Sequence, residues 1–137
     1  MLFVSRGLIE QLQSSLNFSM GSIIGLTLFI FGFSIILVGH ISLWKNYSSF
    51  VVIHKGHRLV ISGIYRFTRN PIYLGAILAF FGLPIFAASL YGFLTSLLMI
   101  PIFLYRIRLE EGLLTEEFQE AFQKYKKATK RLIPFIY

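Results

Sequence analysis

Two short stretches hold most of the residues that could do chemistry, GIYRFTRNPIYLG at 63–75 and YRIRLEEGLL at 105–114. In the first, Asn70 followed by Pro71 reads as a helix start, with asparagine as N-cap and proline at the first helical position. The N–H groups of Ile72 and Tyr73 then lack intrahelical partners and sit at the positive end of the helix dipole, a setting that attracts a carboxylate or a phosphate. Arg66 and Arg69 add to this field, although on spacing alone each reads equally well as an arginine snorkelling to lipid headgroups. In the second stretch Arg106 and Glu110 stand four residues apart and share a helix face. They read either as an intrahelical ion pair or with Glu110 as acceptor for a cationic or hydroxyl-bearing ligand. The anionic end of such a ligand would rest at the Asn70 helix start, so the pattern suits a zwitterion.

The elements that must position these groups belong to a membrane. The 137 residues are 55% hydrophobic, 17% aromatic and only 14% charged, a composition foreign to soluble domains. Residues 21–44 and 72–105 contain no Asp, Glu, Lys or Arg. The second run would make a helix about 51 Å long against a hydrocarbon core of ~30 Å, so it reads as a hairpin turning near Pro84 to Ser89. The expectation is an all-α integral membrane protein with three transmembrane helices, one span plus a tight hairpin, in a single domain over 1–137. Its parts are an interfacial segment (1–20), a first span (21–44), a loop (45–70), the hairpin (71–106) and a tail (107–137). Pro101 is expected to kink the third span.

In the N-terminal segment, Leu8, Leu12 and Leu16 at helical spacing suit a helix lying on the membrane, and nothing there reads as a cleaved signal. The 45–70 loop carries Lys45, Lys55, Arg58, Arg66 and Arg69 and no acid, and the tail is also basic, so both are expected on the cytoplasmic face. The net charge of +7 thereby reads as topology and anionic-lipid contact rather than nucleic-acid binding. In the tail, Leu114, Phe118, Ala121, Phe122 and Tyr125 mark an amphipathic helix. The absence of cysteine removes disulfides and thiol nucleophiles, and His40, His54 and His57 are too few and too scattered for a closed metal site.

HRLVISGIYRFTRNPIYLG, followed by RIRLEEGLL and then FQEAFQKYKKATKRLIPF, resembles the catalytic core of the isoprenylcysteine carboxyl methyltransferase family, related to the phospholipid methyltransferases. The likeness covers roughly residues 50–137. It implies an enzyme that uses S-adenosylmethionine, a zwitterion of the kind described above, at the cytoplasmic face of the cell membrane. It also implies cofactor contacts from His57, Arg58, Leu59, Val60, Tyr65, Asn70, Pro71, Ile72, Tyr73 and Glu110. Arg106 matches the family's substrate-contacting arginine. The implied partners are the bilayer and a lipidic or prenylated acceptor, with carboxylate O-methylation favoured over phospholipid or other N- or S-methylation. The family commonly has Arg-His-Pro where this chain has Arg69-Asn70-Pro71, so a capping or backbone role carries over and an imidazole's role does not. Many members have additional N-terminal spans, which leaves room for a second copy of the chain to complete the pocket.

The implied reaction is in-line displacement at a sulfonium methyl, governed by positioning. An ionised carboxylate needs no base, and Arg106 would hold it. For an amine or thiol acceptor, Glu111 is the nearby candidate base. Tyr65 and Tyr73 rise above the ordinary role of interfacial anchors only through the resemblance. The competing class is a non-enzymatic membrane packing module.

Overall fold

The computed structural model describes residues 19–46 and 61–137, together with Gly7 and Leu59. The expectations placed on Leu8, Leu12, Leu16, His54, Lys55, His57, Arg58 and Val60 lie outside the described residues. Among those described, the fold is all-helical: α1 (Met20–Asn46), a 3-10 turn (Gly63–Arg66), α2 (Pro71–Phe86), α3 (Leu90–Phe118) and α4 (Glu120–Ala128).

Helix α1 draws from the first apolar run and α2 and α3 from the second, and α1 and α3 are long and apolar enough to cross a membrane. At 16 residues, α2 spans about 24 Å, short of a ~30 Å hydrocarbon layer. The three expected spans thus resolve into two helices of spanning length and one shorter apolar helix between them.

The hairpin turn falls where the sequence placed it. Ala88 adopts a left-handed conformation at φ 50°. Ser89 then caps α3 by accepting the Gly92 N–H at 3.1 Å. Below the turn, the Ser96 hydroxyl donates to the Phe80 carbonyl at 2.6 Å, fastening α3 to α2 at a point where no water is needed to satisfy either group. Phe81 and Phe93 meet edge to face across the same interface.

Glycines form the seam between α1 and α2. Gly25, Gly32 and Gly39 recur every seven residues on α1, opposite Gly75 and Gly82 on α2, so the helices run antiparallel with their backbones touching. A Cβ on Gly32 would stand 2.5 Å from the Gly75 carbonyl oxygen and 2.6 Å from the Ala79 nitrogen, and neither backbone atom can yield cheaply. Without a hydrophobic drive between helices in lipid, such small-residue contact supplies the dispersion that holds them.

The amphipathic tail expected as one helix is two. Leu114 and Phe118 belong to α3, the chain breaks at Gln119 with φ 46°, and Ala121, Phe122 and Tyr125 belong to α4. The apolar spacing continued through the break because both pieces bury their faces against the same core, where Phe122, Tyr125 and Ile107 are buried.

Candidate functional site

The site lies where the start of α2, the later part of α3 and the tail converge. Pro71 opens α2 and Asn70 is its N-cap, as the sequence indicates. The capping chemistry differs from expectation: the Asn70 side chain makes no cap hydrogen bond. Its amide instead donates to Glu111 Oε1 at 3.2 Å and to the Arg131 carbonyl at 2.7 Å. The side chain is thus turned to donate to two acceptors distant in sequence rather than to accept a backbone N–H of its own helix.

Glu111 is the hub. It is 3% exposed, and its Oε1 also accepts from Arg69 Nε at 2.9 Å while its Oε2 accepts from Arg131 Nε at 3.1 Å. Burying this carboxylate is tolerable only because both oxygens are met by charged donors. Expected as a candidate base, Glu111 has its oxygens already committed and acts in this geometry as a strut. Arg69 is likewise no headgroup anchor: its guanidinium also donates to the carbonyls of Lys126 at 3.1 Å and Thr129 at 2.7 Å.

The tail closes this cluster as a strap. Thr68 and Lys130 pair in an isolated parallel bridge, the Arg69 N–H donates to the Lys130 carbonyl at 2.9 Å, and the Thr68 hydroxyl donates to the Leu132 carbonyl at 2.8 Å. From α4, the Tyr125 hydroxyl donates to the Tyr65 carbonyl at 2.6 Å. Burial pushes the Tyr125 hydroxyl up to about 12, since a phenolate there would be poorly solvated. Burial raises Tyr65 as well.

Beside the hub opens a cavity of about 320 Å³. Its walls include Leu59, Tyr65, Asn70, Pro71, Ile72, Tyr73, Glu110 and Glu111, so most of the described residues singled out from sequence meet here. Glu110 makes different contacts from its neighbour: it is half-exposed and accepts a short hydrogen bond from the Tyr73 hydroxyl. Arg106 stands apart. It is absent from the cavity wall, its side chain is 65% exposed, and it approaches Glu110 only at 3.8 Å, as an i, i+4 pair.

The remainder of the wall is Leu43, Arg69, Leu113, Leu114, Phe122 and Tyr125; of these, sequence reasoning placed Arg69 beside the helix start and gave no site role to the others. Phe122 and Tyr125 were legible as the apolar face of an amphipathic helix, but not what that face would cover. Arg131 had no local signal, because its partner lies 20 residues away.

The family described as phospholipid methyltransferase matches residues 20–121, which takes in α1 to α3 and every described wall residue except Phe122 and Tyr125. The chain belongs to the phospholipid methyltransferase family. Membership agrees with the resemblance to isoprenylcysteine carboxyl methyltransferases drawn from the motifs. Among curated relatives, methanethiol S-methyltransferase 1 of Bradyrhizobium diazoefficiens is 37% identical over 73 residues, covering 53% of this chain and 25% of that protein. Protein-S-isoprenylcysteine O-methyltransferase of Schizosaccharomyces pombe is 32% identical over 84 residues, covering 61% of this chain and 36% of that protein. The chain therefore spans about a quarter to a third of the length of these relatives. No solved structure matches it. In this phospholipid methyltransferase family member the strap from Thr129 onward lies beyond the matched stretch.

Proposed function

We propose that the chain is an integral membrane methyltransferase that binds S-adenosylmethionine in the cavity beside Glu110, at the cytoplasmic face, and methylates a lipidic acceptor. The observation that carries this reading is the cavity's donor set. It combines one half-exposed carboxylate, the N-terminus of an apolar helix and apolar walls in a chain of a methyltransferase family.

That set fits the cofactor. Glu110 can accept from an ammonium or a ribose hydroxyl, with Tyr73 holding its carboxylate in place. The first N–H groups of α2, at Ile72 and Tyr73, can take the amino-acid carboxylate. Leu43, Leu59 and Leu114 offer an apolar surface for the base. His57, Arg58 and Val60 remain cofactor contacts by resemblance. When bound, S-adenosylmethionine supplies an electrophilic methyl whose bond to sulfur breaks as the bond to the acceptor forms.

The chain's own contribution is alignment. Glu111, Arg69, Asn70 and Arg131 lock the end of α2 to α3, so that Ile72, Tyr73 and Glu110 present a fixed surface; such positioning can supply up to ~7–11 kcal/mol of a barrier. Arg106, outside the cavity wall and solvent-accessible, would gather an acceptor carboxylate at the cavity's edge. Glu111 is spared the role of base, which favours an acceptor that is already ionised. Methylation at sulfur is the second reading, supported by the 37% identity to a methanethiol S-methyltransferase.

The test uses purified protein in lipid vesicles with methyl-labelled S-adenosylmethionine and three acceptors: a farnesylcysteine analogue, methanethiol and phosphatidylethanolamine. Alkali-labile label released as methanol from the first supports the carboxylate reading. Label in dimethyl sulfide supports the second reading. Absence of transfer to all three, with no binding of the cofactor, would remove the enzymatic reading.

A further inference from the structure

The strap that closes the site ends in an apolar turn whose tip is exposed. Phe135 is 85% exposed and Ile136 75% exposed, and Ile133 is exposed beside them. The turn is built rather than frayed: the main-chain oxygen of Tyr137 accepts from the N–H groups of both Leu132 and Ile133, at 2.7 and 2.8 Å. Phe135 itself sits at φ 67°, a conformation unfavourable for a phenylalanine, and so its outward display is imposed by the turn.

The height of this turn along the helices can be read from its bonds. Lys130 to Leu132 bond to residues 68–70, immediately before α2, and Arg131 bonds to Glu111 of α3. On α3 an exposed apolar stripe runs through Leu94, Leu98, Ile102, Tyr105, Leu109 and Leu113, at spacings of three and four residues. The stripe therefore continues about 12 Å past Tyr105, flanking Glu111 on both sides. Exposed apolar side chains thus persist at the level where the strap is tied, interleaved with the exposed Arg106 and Arg108. Phe67, next to the Thr68 bridge, is exposed there too. The residues leading into the turn, Lys126, Lys127, Lys130 and Arg131, are all basic.

We propose that Phe135 and Ile136 insert into the headgroup layer of the membrane that holds α1 and α3, making the 131–137 turn an interfacial anchor. The exposed Lys127 and Lys130 before it meet the anionic lipids, and the apolar tip enters the boundary between headgroups and chains, the arrangement expected of an amphipathic membrane contact. Because Arg131 belongs both to this turn and to the Glu111 hub, the anchor fixes the cavity's wall relative to the bilayer from which a lipidic acceptor would arrive. The inference rests on the membrane reading and is independent of methyl transfer.

The experiment places a single tryptophan at Phe135 in a Trp44→Phe background, with the full chain reconstituted in vesicles of phosphatidylcholine and phosphatidylserine. Ile136→Trp serves as a second probe, and Phe31→Trp, on the outer face of α1, as the membrane control. Lipids brominated near the headgroup should quench Phe135→Trp strongly, and aqueous iodide only weakly. Iodide quenching without bromolipid quenching at both 135 and 136 would overturn the proposal, as would protection from both quenchers, which would indicate a protein partner. If Phe31→Trp also escapes lipids brominated deep in the chains, the membrane reading itself has failed; if it is quenched, only the anchor has.

Discussion

Where α1 meets α2, Gly32 faces Gly75 and Gly25 faces Gly82, with no side chain between the backbones. Where the tail meets the start of α2, Glu111 alone draws in Arg69, Asn70 and Arg131. The two regions hold neighbouring helices by opposite means. In the apolar seam, close approach gives dispersion and costs no desolvation, so removing side chains is what stabilises contact. At the polar end, a buried carboxylate is costly unless every lone pair is met, so the contact depends on adding side chains from distant segments. The difference teaches where each region is fragile: the seam to any added atom, the hub to any lost one.

Glu111→Ala should have the largest effect. It strands two arginines near the interface, and breaking a buried pair costs ~3–5 kcal/mol. Thermal unfolding in detergent should show a large drop in Tm; a change no greater than that of an exposed-surface variant such as Glu117→Ala would mean the hub carries little of the fold. Next, Gly82→Ala should cost ~1–3 kcal/mol, because a Cβ would stand 2.7 Å from the Gly25 carbonyl oxygen and the helices must separate. Thermal unfolding in detergent reads that cost, and unchanged stability of Gly82→Ala would contradict the close seam. Asn70→Ala, which removes two donors to buried acceptors, should cost ~1–3 kcal/mol, with Asn70→Asp no better despite being a good capping residue, since it cannot donate. Equal stability of Asn70→Asp and the parent would restore the capping explanation.

The smallest effect is confined to alkaline pH. The Tyr125 hydroxyl, raised from 10.0 to about 12 by burial, favours the neutral form in the folded state. Its contribution is therefore fully present below pH 10 and is lost as pH rises toward about 12, where a phenolate could no longer donate to the Tyr65 carbonyl. Tyr125→Phe should flatten that part of a stability-against-pH curve followed by circular dichroism; an unaltered curve would assign the alkaline loss elsewhere.

The legibility of the molecule divides along the same line. The apolar runs, the turn after Phe86 and the helix opening at Asn70-Pro71 were readable because each depends on residues close in sequence. The glycine seam was present as a seven-residue spacing, at 25, 32 and 39, but its partner at 75 and 82 gives meaning to the pattern only once the helices are paired. The Asn70 side chain was misassigned because local capping preference says nothing of acceptors 41 and 61 residues away. The break at Gln119 has no glycine or asparagine to announce it and arises from the packing of Phe122 and Tyr125. In the site, the paired glutamates were visible as a pair, but their division of labour follows from helix rotation: adjacent residues point about 100° apart, Glu111 into the arginine hub and Glu110 toward Tyr73.

That division is the account's central claim, and calorimetric titration of S-adenosylmethionine into purified wild-type and Glu110→Gln protein tests it most directly. Loss of a charge-assisted hydrogen bond, ~1.5–3 kcal/mol, predicts binding weakened roughly 10- to 150-fold while Tm stays near that of the parent. Unchanged affinity in the folded Glu110→Gln variant, or a loss of affinity that merely tracks a loss of fold, would contradict it.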